Sequence, residues 1–203
     1  LYNETRGTAI WPTPVIGALG ILENASDRTN IKFHNEGDIV IMLGDSNVSS
    51  DVTGLSGSAY LEVMFGKVQG VPFIDLDMEY KVQKLCRDAI KEGLINSSHD
   101  VSDGGLAVAL AESCVQGNIG FRSNWQLDQD WQAALFGETQ SRIIISMSKD
   151  KLSKFEALAE QESTPWVLLG VVGGTSLRIG TLMDVSLEDL DKAWSHSLQE
   201  SLS

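Results

Sequence analysis

The stretch from Ser97 to Cys114, SSHDVSDGGLAVALAESC, constrains this chain more than any other. It joins a strand end, a polar turn and a helix in which Leu106, Leu110 with Ala109, and Cys114 share one face at the 3.6-residue period. The turn is therefore fixed from both sides. Ser102 or Asp103 can cap the first turn of the helix, and Gly104-Gly105 leaves backbone N–H groups bare, so an anion can come close to a helix N-terminus. Asp100 and Asp103 place two carboxylates beside the same turn, and these repel a bare phosphate unless a hard divalent cation such as Mg2+ lies between them. The combination points to a metal-bridged phosphate site. A plainer reading stays open, in which Ser and Asp are ordinary caps and the glycines only let the helix pack close to a strand.

With 203 residues, 42% of them hydrophobic and 21% charged, the chain can bury a full core as one domain with a small appendage. Its formal charge of −13 argues against nucleic-acid binding, which needs a basic face, and no Lys/Arg cluster is present. Phosphorylated small molecules remain possible through Mg2+. Cys86 and Cys114 both lie in apolar helical patterns, where a buried free thiol is the usual state, which fits a reducing, cytoplasmic setting. No apolar run approaches membrane-spanning length. Because the sequence opens at Leu1 in the middle of a polar phrase, we expect a C-terminal piece of something longer.

Residues 1–14 read as a linker and remnant of a preceding domain, and residues 15–203 as the domain itself. Short apolar runs predict strands at Val15–Leu22, Asp38–Leu43, Asn118–Phe121, Ile143–Met147 and Trp166–Val172, with Gly173-Gly174 as a hairpin turn into Ser176–Ile179. Helical periodicity covers Leu76–Glu92, with Tyr80, Leu85 and Ala89 along its apolar side, and Lys149–Glu162. A shorter helix follows the Gly/Ser-rich stretch Gly54–Leu61, and a capping box at Ser186–Asp189 opens a terminal one. The alternation predicts an α/β (α+β) fold, a mixed β-sheet with helices packed on its faces. Glu138-Thr139-Gln140-Ser141 directly before a buried strand places polar groups at a strand mouth, where they can hydrogen-bond a ligand. Glu138 and Arg142, four apart, could equally be a surface pair. His34 and His196 are isolated and carry no metal assignment.

Taken together, Leu1–Thr5 with Ile10–Gly17, His99–Leu106 and Phe136–Arg142 resemble the C-terminal part of the phosphoribosylformylglycinamidine synthase family, within the aminoimidazole ribonucleotide synthetase superfamily. The resemblance spans essentially the whole chain. It implies an ATP-dependent ligase of purine biosynthesis that converts formylglycinamide ribonucleotide, ATP and ammonia from a glutaminase to formylglycinamidine ribonucleotide. In that reaction the amide oxygen attacks the γ-phosphate with Mg2+ present, and ammonia then displaces phosphate. Positioning and charge neutralisation carry most of such chemistry. The implied partners are the N-terminal remainder of the enzyme, a glutaminase subunit and a small accessory subunit.

The family is built from two similar halves, and the resemblance places this chain at the C-terminal domain of the second, with the catalytic residues upstream. By analogy with the first half, Asp100 is a metal ligand, and His99, Asp103, Gly104, Gly105, Glu138 and Gln140 belong to an auxiliary Mg-nucleotide site. The family phrase Gly-Gly-Ser-Glu is replaced here by Ser56-Gly57-Ser58-Ala59, which removes an acid from that helix start. The alternative function is a structural module that holds the catalytic half and the glutaminase without binding a ligand of its own.

Overall fold

The structure is a computed structural model that describes residues 4–10, 15–25, 27–44, 52–125, 127 and 130–202. Strands β1 (Glu4–Thr5) and β2 (Thr8–Ala9) form a small antiparallel hairpin. The main sheet comprises β3 (Ile39–Leu43), β4 (Ser97–Asp100), β5 (Phe121–Ser123), β6 (Ile143–Met147), β7 (Trp166–Val172), β8 (Ser176–Ile179) and β9 (Met183–Ser186). Their order is β4-β6-β3-β7-β5-β8-β9. All neighbours pair antiparallel except β5 and β8, which run parallel, so the sheet is mixed as expected. The helices are α1 (Ala59–Phe65), α2 (Leu76–Lys91), α3 (Gly105–Gly117), α4 (Trp131–Phe136), α5 (Leu152–Gln161) and α6 (Leu187–Leu202).

The two faces of the sheet have separate cores, and strand periodicity assigns side chains to each. Val40, Met42 and Ile144 join Leu106 and Leu110 of α3 and Leu135 of α4, with Leu187 and Leu190 of α6 alongside. Ile39, Ile41, Leu43, Ile145 and Met147 join Val82, Leu85 and Cys86 of α2 and Phe155 and Leu158 of α5. These helices turn an apolar side to the sheet, whereas α1 has no buried residue and belongs to neither core. Asp75 caps α2 by accepting from the backbone N–H groups of Asp77 and Met78, and Ser186 caps α6 by accepting from that of Asp189. Tyr80 departs from expectation: it is 62% exposed, and Val82 and Cys86 fill the apolar side of α2 beside Leu85 and Ala89.

Three expectations about strands are corrected. Val15–Leu22 is not a strand; it pairs with nothing among the described residues and its apolar side chains are exposed. An apolar run becomes a strand only where a neighbour can take its backbone hydrogen bonds, and none lies beside it. Part of the expected linker instead forms the β1–β2 hairpin, while 11–14 lie outside the described residues. Gly173-Gly174 does not close a hairpin, because β5 lies between β7 and β8. The turn clasps the start of β5: the Gly120 N–H donates to the Gly174 carbonyl at 2.8 Å, and the Gly173 N–H to the Gly120 carbonyl at 2.7 Å.

Both cysteines are free and buried. Burial pushes the Cys86 thiol up to about 11, against a smaller opposing effect of its hydrogen bond with Ser98, and the Cys114 thiol up to about 12. An unfolded thiol ionises near 8.5. Above that pH the unfolded chain has lost protons that the native one retains, so these thiols make stability fall as pH rises through about 9 and beyond. At pH 8 neither thiol should react with an aromatic disulfide in the native state, and both should react in guanidinium chloride. Rapid reaction without denaturant would contradict the burial.

Candidate functional site

The site forms where β4 meets the loop before β6. Asp100 is register partner to Ile143, which brings the end of β4 beside residues 137–142. A cavity of about 320 Å³ opens there, lined by Asp100, Asp103, Glu138, Gln140, Ser141 and Arg142, with Glu79 and Gln83 contributed by α2. Four of the residues singled out from the sequence, Asp100, Asp103, Glu138 and Gln140, thus share one cavity.

His99 does not join them. Neighbouring residues of a strand point to opposite faces, so Asp100 turns toward α2 and His99 toward α3. There the His99 Nε2 lies 2.7 Å from Glu112 Oε2, and its Nδ1 lies 3.3 Å from Asp100 Oδ1. With both ring nitrogens engaged and only 10% of its side chain exposed, His99 ties β4 to α3. Asp100 remains 72% exposed.

The helix start is the largest departure from expectation. Neither Ser102 nor Asp103 caps α3 with its side chain; Gly104 is the capping residue, and the Gly105 N–H donates to the Ser102 carbonyl. Nor are the amides bare. The Glu138 carboxylate accepts from the Gly104 N–H at 2.8 Å and, through the same Oε1, from the Ala59 N–H at the start of α1, also at 2.8 Å. The anion that the two helix starts call for is the protein's own. Gly105 has a packing reason: a Cβ there would stand 2.7 Å from the Gly137 carbonyl oxygen and 2.8 Å from the Phe136 carbonyl carbon. Gly105 thus has a packing role as the plainer reading held, but against the end of α4 and not against a strand.

The 137–142 loop is held from within. Arg142 is buried instead of forming part of a surface pair, and its guanidinium donates to the carbonyls of Gly137 at 2.5 Å and Thr139 at 3.2 Å. The Glu138 N–H donates to the Gly54 carbonyl, and the Gln140 amide to the Glu138 carbonyl. Ser141, one of the four polar residues expected at the strand mouth, lines the cavity with a positive φ of 62° and has a buried hydroxyl without a partner among the described residues. Nothing in its sequence neighbourhood signals that conformation, although positive φ at a non-glycine residue commonly accompanies a functional constraint. Among the described residues no three or more His, Cys, Asp or Glu side chains converge to hold a metal ion. The donor set does not fit a metal centre built from protein ligands alone.

A mixed sheet with helices on both faces and an acidic cavity at one strand mouth is a domain of known class. The chain belongs to the family described as AIR synthase related protein, C-terminal domain, which it matches over residues 35–180. It is 40% identical over 199 residues to the phosphoribosylformylglycinamidine synthase subunit PurL of Caldanaerobacter subterraneus subsp. tengcongensis, covering 96% of this chain and 26% of that protein. The same-named subunit of a Synechococcus species is 41% identical over 204 residues, with 96% and 26% covered. The chain thus spans about a quarter of the length of these curated relatives. Among solved structures, T. maritima PurL complexed with FGAR superposes with a TM-score of 0.66 at 18% identity, covering 82% of this chain and 30% of that one. T. maritima PurL complexed with ATP gives 0.61 at 18% identity, with 82% and 27% covered. These structures share the fold.

Glu138→Ala should destabilise the chain by about 1–3 kcal/mol, because it leaves two helix-start N–H groups without their acceptor. Glu138→Gln keeps an acceptor oxygen and should cost less. Urea denaturation measures both, and equal stability of wild type and Glu138→Ala would mean that the carboxylate does not hold the two helices together.

Proposed function

We propose that this chain serves as the C-terminal part of an ATP-dependent ligase that makes formylglycinamidine ribonucleotide from formylglycinamide ribonucleotide, ATP and glutamine-derived ammonia. The observation that carries this reading is about 40% identity along 96% of the chain to PurL subunits from different bacteria. Residues 15–203 act as the domain, and the hairpin within 1–14 is a remnant of its neighbour. Its partners are the N-terminal remainder of the enzyme, a glutaminase subunit and a small accessory subunit, in the cytoplasm. Among the described residues no helix is long and apolar enough to cross a membrane.

Two surfaces support a role within a larger body. Val15, Ile16, Leu19 and Ile21 are almost fully exposed, and Val63 of α1 with Val71 and Phe73 between α1 and α2 are largely so. Exposed apolar clusters of this extent are characteristic of surfaces that another body covers.

The acidic cavity contributes to an auxiliary nucleotide site in this reading. Asp100 and Asp103 present carboxylates to solvent at its mouth, and Gln140 offers an amide. Mg2+ is commonly held by one or two carboxylates with phosphates and water completing its shell. Asp100 suits that limited role, with the cation arriving with the nucleotide. Glu138 favours the second reading, of a structural module without its own ligand, since it already fills the helix starts that a phosphate would use.

Two experiments test this proposal, and the second separates it from the structural module. The chain alone, mixed with formylglycinamide ribonucleotide, Mg-ATP and ammonia, should release no phosphate above background; turnover would refute the division of labour with upstream residues. In the longer enzyme, Asp100→Asn should weaken Mg-dependent nucleotide binding at the auxiliary site by about tenfold to a hundredfold, one lost charge-assisted contact being worth about 1.5–3 kcal/mol. Its melting temperature should hold, because Asp100 is exposed and caps no helix. Unchanged affinity in calorimetric titration would leave the structural role standing.

A further inference from the structure

We infer that the open face of β5 and β8 carries a second anion site, one that takes the phosphates of a small nucleotide. The helical layer of α2 and α5 covers the β3–β6 half of the sheet, and the core beneath it contains no residue of β5 or β8 among those described. On that uncovered face Arg122 and Arg178 are register partners on parallel strands, so their side chains leave the sheet side by side. Adjacent strands are about 4.8 Å apart, and like charges at partnered positions repel. Arg178 has only a long contact to Asp184, 3.8 Å between groups that are more than half exposed. Arg122 makes no ion pair among the described residues. In a chain of net charge −13 the two arginines concentrate positive charge, of which Asp184, the register partner of Arg178 on β9, offsets one.

The two guanidinium groups border a cavity of about 810 Å³ that Asn124, Trp125, Thr181 and Leu182 also line. Ligand pockets span roughly 300–1,000 Å³. One wall is set by the backbone. The Gly180 N–H donates to the Ser123 carbonyl at 2.8 Å, and the Trp125 N–H to the Ser123 hydroxyl at 3.2 Å. Gly180 has a φ of +51°, and a Cβ there would stand 2.2 Å from the Trp125 carbonyl oxygen, so no side chain can replace it without displacing Trp125. Paired guanidinium forks match phosphate oxygens, and Trp125, partly buried against the core on the α3 side, borders the cavity with the rest of its indole, an apolar surface for a base. β5 lies four strand spacings from β4, about 19 Å, so this site does not share the acidic cavity.

Calorimetric titration of the 203-residue chain with ADP and, separately, with pyrophosphate tests the inference. Both should bind, and the double variant Arg122→Gln with Arg178→Gln should raise both dissociation constants at least tenfold with an unchanged melting curve. Arg122→Lys with Arg178→Lys should fall between. Trp125→Leu should weaken ADP at least fivefold and leave pyrophosphate unaffected, retained pyrophosphate binding also showing that the variant is folded. Both titrations are run in EDTA, where the Mg-dependent site beside Asp100 does not contribute. Absence of saturable binding by both probes, or equal affinities in the double Gln variant, would overturn the site. Pyrophosphate binding with ADP insensitive to Trp125 would overturn its assignment to a nucleotide.

Discussion

Strand β3 is closed to water on both faces and hydrogen-bonded along both edges, and the two layers of the domain exist because of it. All five of its residues are buried. Each such apolar side chain contributes about 1.5–3 kcal/mol relative to exposure. Alternate residues serve different cores, so a one-residue slip against β6 would hand each face the side chains meant for the other. Against β7 the register shifts between Val40 and Ile41, a local irregularity that still leaves Val40 and Ile41 in opposite cores.

The candidate site is built on the edge of that arrangement. β4 has a neighbour on one side only, and its last residues are polar because they reach the rim of the sheet. From there Glu138 couples three segments distant in sequence: it lies 34 residues from Gly104 and 79 from Ala59. Any phosphate seated on the starts of α1 and α3 has to displace this carboxylate first. The cavity is consequently organised as a polar recess beside filled helix starts, with Asp100 and Asp103 directed outward.

Segments with a strong local period were readable from the sequence because their partners are supplied by the same chain. The Ile143–Met147 run, the helix after Asp75 and the capping pair Ser186 and Asp189 all appear as the side-chain pattern requires. Val15–Leu22 has the same apolar character and lies exposed, since composition records that a segment is suited to burial but not which surface buries it. At the site, the convergence of Asp100, Asp103, Glu138 and Gln140 was legible from the resemblance, and the separation of His99 follows from a period of two once β4 has its bounds. The occupation of the Gly104 amide by Glu138 was not legible, because a contact across 34 residues leaves no local signature. Arg142 was misread for a related reason: its four-residue spacing from Glu138 suits a helix, while the intervening chain is a loop folded over its guanidinium.

The clasp around Gly120 bears on the order in which the chain can assemble. β7 and β8 are separated by only three residues, Gly173 to Thr175, yet β5 is inserted between them. A local hairpin is thereby excluded as a nucleus for this part of the sheet, and β7 and β8 join only through a strand made some fifty residues earlier. On the ribosome β5 would emerge with neither neighbour available, remaining an unsatisfied edge until the polypeptide passes Ile179. Chain termination anywhere before that point leaves Phe121 and its flanking backbone without the second strand that encloses them, so the C-terminal quarter is required for the β5–β8–β9 end of the sheet to close.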